Sequence, residues 1–141
     1  MKINFLCIFL LILTECTDKT VNPQLYAPLL NKQWMLVSIQ NTANGQIINF
    51  PDNLTQKEWI LFNDSMMRVD DGCNGCAGNY YLTNDNMIHI YNMTCTQKFC
   101  INYIWNNYLD DNLSNAIYYR IMGNQLTLFT NGTYNLNFVS Q

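Results

Sequence analysis

The chain has 141 residues, which fits one domain large enough to bury a core, and a hydrophobic share of 49% argues against disorder. Charged residues make up only 12% of the chain, and the net charge is −3. The few basic residues are scattered, whereas binding to a phosphate backbone needs clustered cations, so nucleic acid is excluded as a partner.

The first segment is typical of a secretory signal peptide. Lys2 gives a positive start, and an apolar run follows from Ile3 to Leu13. This run is too short to span a bilayer comfortably. We therefore predict a signal peptide over residues 1–16, a short lead-in over residues 17–29, and a secreted or cell-envelope protein.

Cys16 stands where the lipid-bearing cysteine of a bacterial lipoprotein would stand. A lipoprotein usually has a small residue just before that cysteine, and Glu15 is not small. Two interpretations stay open: ordinary cleavage of the signal peptide, or lipidation of Cys16. In the second case the lipid anchor would be the protein's attachment to the membrane.

The rest of the chain is predicted to be rich in β-structure, because short alternating segments are separated by Asn, Gly and Asp turns. We expect about seven to eight short strands in a mainly antiparallel sheet. The candidate segments are 34–39, 46–50, 58–62, 66–69, 80–83, 87–91, 116–122, 125–130 and 134–139. Residues 70–78, with three glycines and two cysteines, are predicted to form a loop.

One segment, near residues 100–110, breaks the β pattern and makes the predicted fold class α+β. Its apolar residues recur at the spacing of one helical stripe. They are Ile101, Ile104, Trp105, Tyr108 and Leu109. We predict a helix that packs this stripe on the sheet with Trp105 at its centre; a docking face is the alternative. Asp110 and Asp111 oppose the helix dipole, so the helix is predicted to end there.

Four cysteines form a cluster with three interpretations. They are Cys73, Cys76, Cys95 and Cys100. An exported chain meets an oxidising compartment, which favours two structural disulfides. Four soft ligands would also suit zinc, and Cys73 with Cys76 could form a redox pair. We favour the pairing Cys73–Cys100 with Cys76–Cys95, which ties the loop to the start of the helix, and we predict no bound metal or cofactor.

The sequence contains no recognisable catalytic group. His89 is the only histidine and lies on a predicted strand without a companion base or nucleophile. Asp70–Asp71 and Asp110–Asp111 are neighbours in sequence, and adjacent residues of a strand point apart, so neither pair forms an obvious acid/base dyad. We therefore predict that the protein has no catalytic residues and is not an enzyme.

Two motifs resemble those of the META/HslJ family. The first is Gly-Cys-Asn followed by Gly and an aromatic residue, and the second is Thr-x-x-x-Cys before a helix. The matching residues are Gly72, Cys73, Asn74, Gly78, Tyr80, Thr96 and Cys100. The order and spacing of the motifs assign residues 30–141 to a META/HslJ-like domain. The chain departs from the simpler family pattern by adding Cys76 and Cys95.

The resemblance implies an antiparallel sheet with one helix, in an exported or envelope-associated protein. The family is connected in general terms with heat stress, drug tolerance and, in parasites, secretion and virulence, and it has no established enzymatic activity. We therefore expect a non-enzymatic accessory protein that binds an unknown protein or small ligand. The alternatives are a thiol–disulfide redox protein that uses Cys73 and Cys76, or a secreted inhibitory or structural module.

Overall fold

The computed structural model describes residues 28–51, 57–83, 85–99 and 106–141. The described strands are β1 (Gln33–Asn41), β2 (Ile47–Asn49), β3 (Trp59–Phe62), β4 (Met66–Asp70), β5 (Gly75–Leu82), β6 (Ile88–Cys95), β7 (Ala116–Met122), β8 (Gln125–Thr130) and β9 (Tyr134–Ser140). The described helix is α1 (Asn106–Leu113). The predicted signal peptide with Cys16, the lead-in up to residue 27, and the predicted roles of Cys100, Ile101, Ile104 and Trp105 lie outside the described residues.

The strands form one antiparallel sheet in the order β6-β5-β4-β3-β1-β9-β8-β7, and β2 pairs with β1 beside β3. The sheet curls until its two edges touch. Met87 and Tyr118 form an isolated bridge, and the amide of Tyr119 donates to the carbonyl of Asn86 at 2.9 Å. The result is a curled half-barrel with one short helix, which confirms the predicted α+β class and the mainly antiparallel sheet.

The core follows from the alternation of buried and exposed residues along each strand, because successive side chains point to opposite faces. Strand β5 shows the pattern clearly, with every second residue from Cys76 to Leu82 buried. Trp34 is fully buried, and its indole nitrogen donates to the carbonyl of Leu29 at 3.0 Å. The other large, fully buried side chains include Ile39, Ile60, Phe62, Met67, Ile88, Leu109, Leu113, Leu126, Leu128 and Phe138.

Two predicted strands are longer than expected, and the predicted loop over residues 70–78 is correspondingly shorter. Strand β5 already begins at Gly75, and β6 continues to Cys95. Glycine-rich sequence disfavours strands, but packing outweighs that preference here. A Cβ on Gly78 would lie 2.6 Å from the sulfur of Met93, so glycine makes room for Met93 against the strand.

The prediction that the helix ends at Asp110 and Asp111 is wrong, because α1 continues to Leu113. Leu109 and Leu113 are both fully buried. Burying a leucine is worth about 1.5–3 kcal/mol, whereas an unfavourable charge near a helix end costs about 0.3–1 kcal/mol. Burial of Leu113 therefore extends the helix past the acidic pair. In the described part of the chain, no helix has the length and apolar content needed to cross a membrane.

Candidate functional site

The turn between β4 and β5 is built around Asp71, whose side chain is almost completely buried. One carboxylate oxygen of Asp71 accepts the amide N–H of Cys73 at 2.7 Å and also that of Asn74. Asp70 accepts the N–H of Gly72 at 2.8 Å. Gly72 has a φ of 82°, a conformation that favours glycine. The acidic residues before the first motif therefore shape the backbone of its loop.

The two family motifs contact each other directly. The amide oxygen of Asn74 accepts the N–H of Lys98 at 2.7 Å and the hydroxyl of Thr96 at 3.1 Å. Thr96 in turn receives the N–H of Gly75 on its hydroxyl oxygen, and its own N–H donates to the carbonyl of Gly75 at 3.0 Å. Asn74 and Thr96 thus hold the β4–β5 loop against the segment that follows β6. We call this region, residues 70–76 and 94–98 with Asp110, the loop–helix junction.

The remaining described motif residues serve packing on β5. Gly78 admits the side chain of Met93. Tyr80 is buried, donates its hydroxyl to the carbonyl of Asn63, and meets Phe62 edge-on with the ring centroids 5.0 Å apart. Burial raises the pKa of the Tyr80 phenol to about 12, helped by the charge of nearby Asp64. This phenol is therefore neutral and structural.

Cys76 and Cys95 lie directly opposite each other on β5 and β6 and are joined by a disulfide with a Cα–Cα distance of 4.1 Å. This bond is consistent with one of the predicted pairings. Cys73 is also disulfide-bonded, and its partner lies outside the described residues, so Cys73–Cys100 stays a prediction. A redox pair of Cys73 with Cys76 is wrong for this structure, because Cys76 already bonds to Cys95.

Helix α1 brings Asp110 to the junction, where its Oδ1 lies 3.8 Å from the Sγ of Cys76. Burial, the charge of Asp71, a hydrogen bond with Asp71 and the charge of Asp111 together raise the pKa of Asp110 to about 7. A hydrogen bond that raises this pKa stabilises the protonated acid, so Asp110 donates and Asp71 accepts. Below about pH 7 Asp110 is therefore the protonated member of this contact.

Sequence reasoning missed the Asp71–Asp110 contact, because it considered only aspartates adjacent in the chain. In the structure, Asp71 and Asp110, one from each adjacent pair, contact each other across the loop–helix junction. The available sequence signal was the position of Asp110 in a helix that follows the second motif. Which loop that helix faces depends on how the sheet curls, and the sequence pattern does not reveal the curl.

Cys76, Cys95 and Asp110 form the one group within the described ranges that offers three potential metal ligands, with the ligand atoms within 4.8 Å of one another. Metal ions bind cysteine as the thiolate. The two sulfur atoms are bonded to each other in the disulfide, so in the oxidised state two of the three potential metal ligands cannot bind a metal ion.

An open depression of about 540 Å³ lies beside the disulfide. Its lining is mostly apolar and includes Trp59, Ala77 and Cys95. Farther along β5 and β6, the ring of His89 stacks on that of Tyr81 with the centroids 4.6 Å apart. His89 thus packs on the sheet surface. The depression, with exposed Tyr81 and Tyr91, forms what we call the outer face of β3–β6.

Comparison with known proteins identifies the family and the fold. The model of the META domain matches residues 27–141. A solved structure of a protein from Burkholderia xenovorans has a TM-score of 0.65 and 18% identity, over 85% of this chain and 88% of that one. A DUF4847 family protein from Bacteroides vulgatus ATCC 8482 has a TM-score of 0.62 and 20% identity, over 82% and 96%. Among curated proteins, none matches this chain.

Proposed function

This chain belongs to the META domain family, and we propose that it is an exported protein that acts by binding another protein, without catalysis. The observation that carries the proposal is how the two motifs use their polar groups. The side chains of Asp71, Asn74 and Thr96 all bond to backbone groups of the loop or to each other. A motif whose polar atoms are engaged in this way serves as a scaffold.

The outer face of β3–β6 supports binding to a protein. Interfaces are enriched in Trp, Tyr, Met and Arg relative to the rest of a protein surface. This face presents Trp59 and Arg68 beside the depression, with Met66, Tyr81 and Tyr91 about half exposed along the strands. Small-molecule sites usually enclose most of their ligand. The depression is shallow and open, which favours a protein partner over a small ligand.

Export is part of the proposal and is supported by the predicted signal peptide over residues 1–16. The Cys76–Cys95 disulfide agrees with an oxidising compartment. We propose secretion or residence in the cell envelope, with a lipid anchor at Cys16 as the route to a membrane. A role in stress or secretion is what the family resemblance implies.

Site-specific photo-cross-linking in the producing cell tests the binding role. A photoreactive residue replaces Tyr81 on the outer face in one variant and Phe129 on β8 in a matched control. We expect one protein adduct of defined mass from position 81, and its loss when Tyr91→Ala is added. Cross-linking of equal yield from both positions, or no adduct at position 81, would contradict this use of the outer face.

A further inference from the structure

The two cysteines of the Cys76–Cys95 disulfide differ in exposure. Cys76 is only 5% exposed, whereas Cys95 is exposed at the end of β6 and lines the open depression. Thiol–disulfide exchange requires a thiolate to reach one sulfur atom while the other leaves. An external thiolate can therefore approach Cys95, and Cys76 becomes the leaving group.

The leaving sulfur faces a proton donor. Thiolate formation in a buried site is costly because charge is poorly solvated there. The Oδ1 of Asp110 lies 3.8 Å from the Sγ of Cys76. Transfer of the Asp110 proton would leave a neutral thiol in the buried position and move the charge to a half-buried carboxylate.

We propose that the Cys76–Cys95 disulfide is an exchange site for a cysteine thiol on an apolar peptide segment, with Asp110 as the proton donor. This activity goes beyond the proposed binding role and does not depend on it. The mostly apolar depression of about 540 Å³ beside Cys95 favours an apolar segment over a small polar thiol.

The exchange balances without any further reactant. The incoming thiolate sulfur forms a bond to the Sγ of Cys95, and the Cys76–Cys95 bond breaks with its electron pair on Cys76. Asp110 protonates Cys76 and is itself reprotonated from solvent. The incoming sulfur is oxidised as the Cys76 sulfur is reduced, so neither a metal nor a separate oxidant takes part.

The surroundings of Asp110 make the exchange depend on pH. The carboxylates that face it are Asp71 from the β4–β5 loop and Asp111 from its own helix, and with burial they raise the pKa of Asp110 to about 7. The donor is therefore protonated below about pH 7 and is lost above it. At a fixed thiolate concentration, the rate should fall as pH rises through that value.

The test uses the oxidised full chain, a short apolar peptide with one cysteine, and 2-mercaptoethanol as a small polar thiol. After acid quenching and alkylation, peptide mapping locates the adduct and the new free thiol. We expect the adduct on Cys95, the free thiol on Cys76, and faster reaction with the peptide at equal thiolate concentration. An adduct on Cys76, or reaction only at the rate of global unfolding, would overturn the proposal. An equal or faster rate with 2-mercaptoethanol would overturn the peptide assignment.

Variants then separate proton donation from structural effects. Asp110→Asn keeps a hydrogen-bond donor toward Asp71 but carries no transferable proton, so its rate per thiolate should be about 100-fold lower below pH 7 and independent of pH. Asp71→Asn should shift the wild-type profile to lower pH, because Asp110 loses the neighbouring charge. Asp85→Asn, at an exposed position between β5 and β6, is the control and should keep the wild-type rate within about twofold. An Asp110→Asn profile identical to wild type would remove Asp110 from the mechanism.

Discussion

Helix α1 is held on its two sides by different chemistry. Toward the β4–β5 loop, Asp110 contacts the carboxyl group of Asp71 and approaches a disulfide. Toward the β8–β9 hairpin, Asn112 accepts the amide N–H of Tyr134 at 2.9 Å and donates to the carbonyl of Tyr108 at 2.8 Å. The rings of Tyr108 and Tyr134 meet edge-on with the centroids 5.2 Å apart.

One side of helix α1 is therefore held by contacts that do not depend on pH or on reduction, and the other side by contacts that do. The groups named on the hairpin side are an amide, backbone groups and aromatic rings, whose contacts do not change near neutral pH or on reduction. The loop side holds a carboxyl group, that of Asp110, whose pKa is raised to about 7, and a reducible disulfide. Changes in the medium should therefore act on the loop–helix junction and leave the hairpin side unaffected.

The largest effect is expected from the hairpin half of the core. Phe138 on β9 is almost completely buried, and Phe138→Ala should cost about 3–5 kcal/mol in the free energy of unfolding. Phe129→Ala is the control, since this half-buried ring lies on β8 against Tyr118, and it should cost about 1 kcal/mol. Urea denaturation measures both. Equal costs for the two changes would show that the core is not organised as described.

Loss of the disulfide should have the next largest effect. Replacing Cys76 and Cys95 together by alanine should lower the free energy of unfolding by about 2–4 kcal/mol, because the unfolded chain regains the entropy that the bond removes. Thermal or urea unfolding of the oxidised proteins provides the comparison. A double variant as stable as the wild type would mean that the junction is held by its hydrogen bonds alone.

The sequence predicted the hairpin half far better than the junction. Alternating residues and the turns at Gly123–Asn124 and Asn131–Gly132 lie close together in the chain, so β7, β8 and β9 follow from local patterns. The junction joins residues far apart in sequence. Its Asp71–Asp110 contact depends on the curl of the sheet. The extent of β5 depends on how Gly78 packs against Met93.

A smaller effect should separate two glycines of the same strand. Gly78→Ala would place a methyl group 2.6 Å from the sulfur of Met93 and should cost about 1–3 kcal/mol, whereas Gly75 has no atom within 4 Å of the added Cβ and Gly75→Ala should be nearly neutral. Adding Met93→Ala to Gly78→Ala should recover part of the loss, as chemical denaturation can measure. No recovery would indicate that Gly78 is required for another reason.

The remaining expected effect concerns pH. The pKa of Asp110 is raised from 3.8 to about 7 in the folded protein, chiefly by burial and by Asp71. Between these two values the unfolded chain has lost the proton and the folded protein still holds it, so folding takes up a proton. The contribution of Asp110 to stability is therefore full below about pH 4 and falls as pH rises to about 7.

The most direct test of the raised pKa of Asp110 is the free energy of unfolding of wild type and Asp110→Asn, measured by urea denaturation from about pH 4 to pH 8. Subtraction of the two curves removes the contributions of the other carboxyl groups, and Asp85→Asn, at an exposed position between β5 and β6, serves as the control. We predict that wild type loses stability relative to Asp110→Asn up to about pH 7, with no further change above it. A difference that does not vary with pH would contradict a raised pKa of Asp110 beside Asp71.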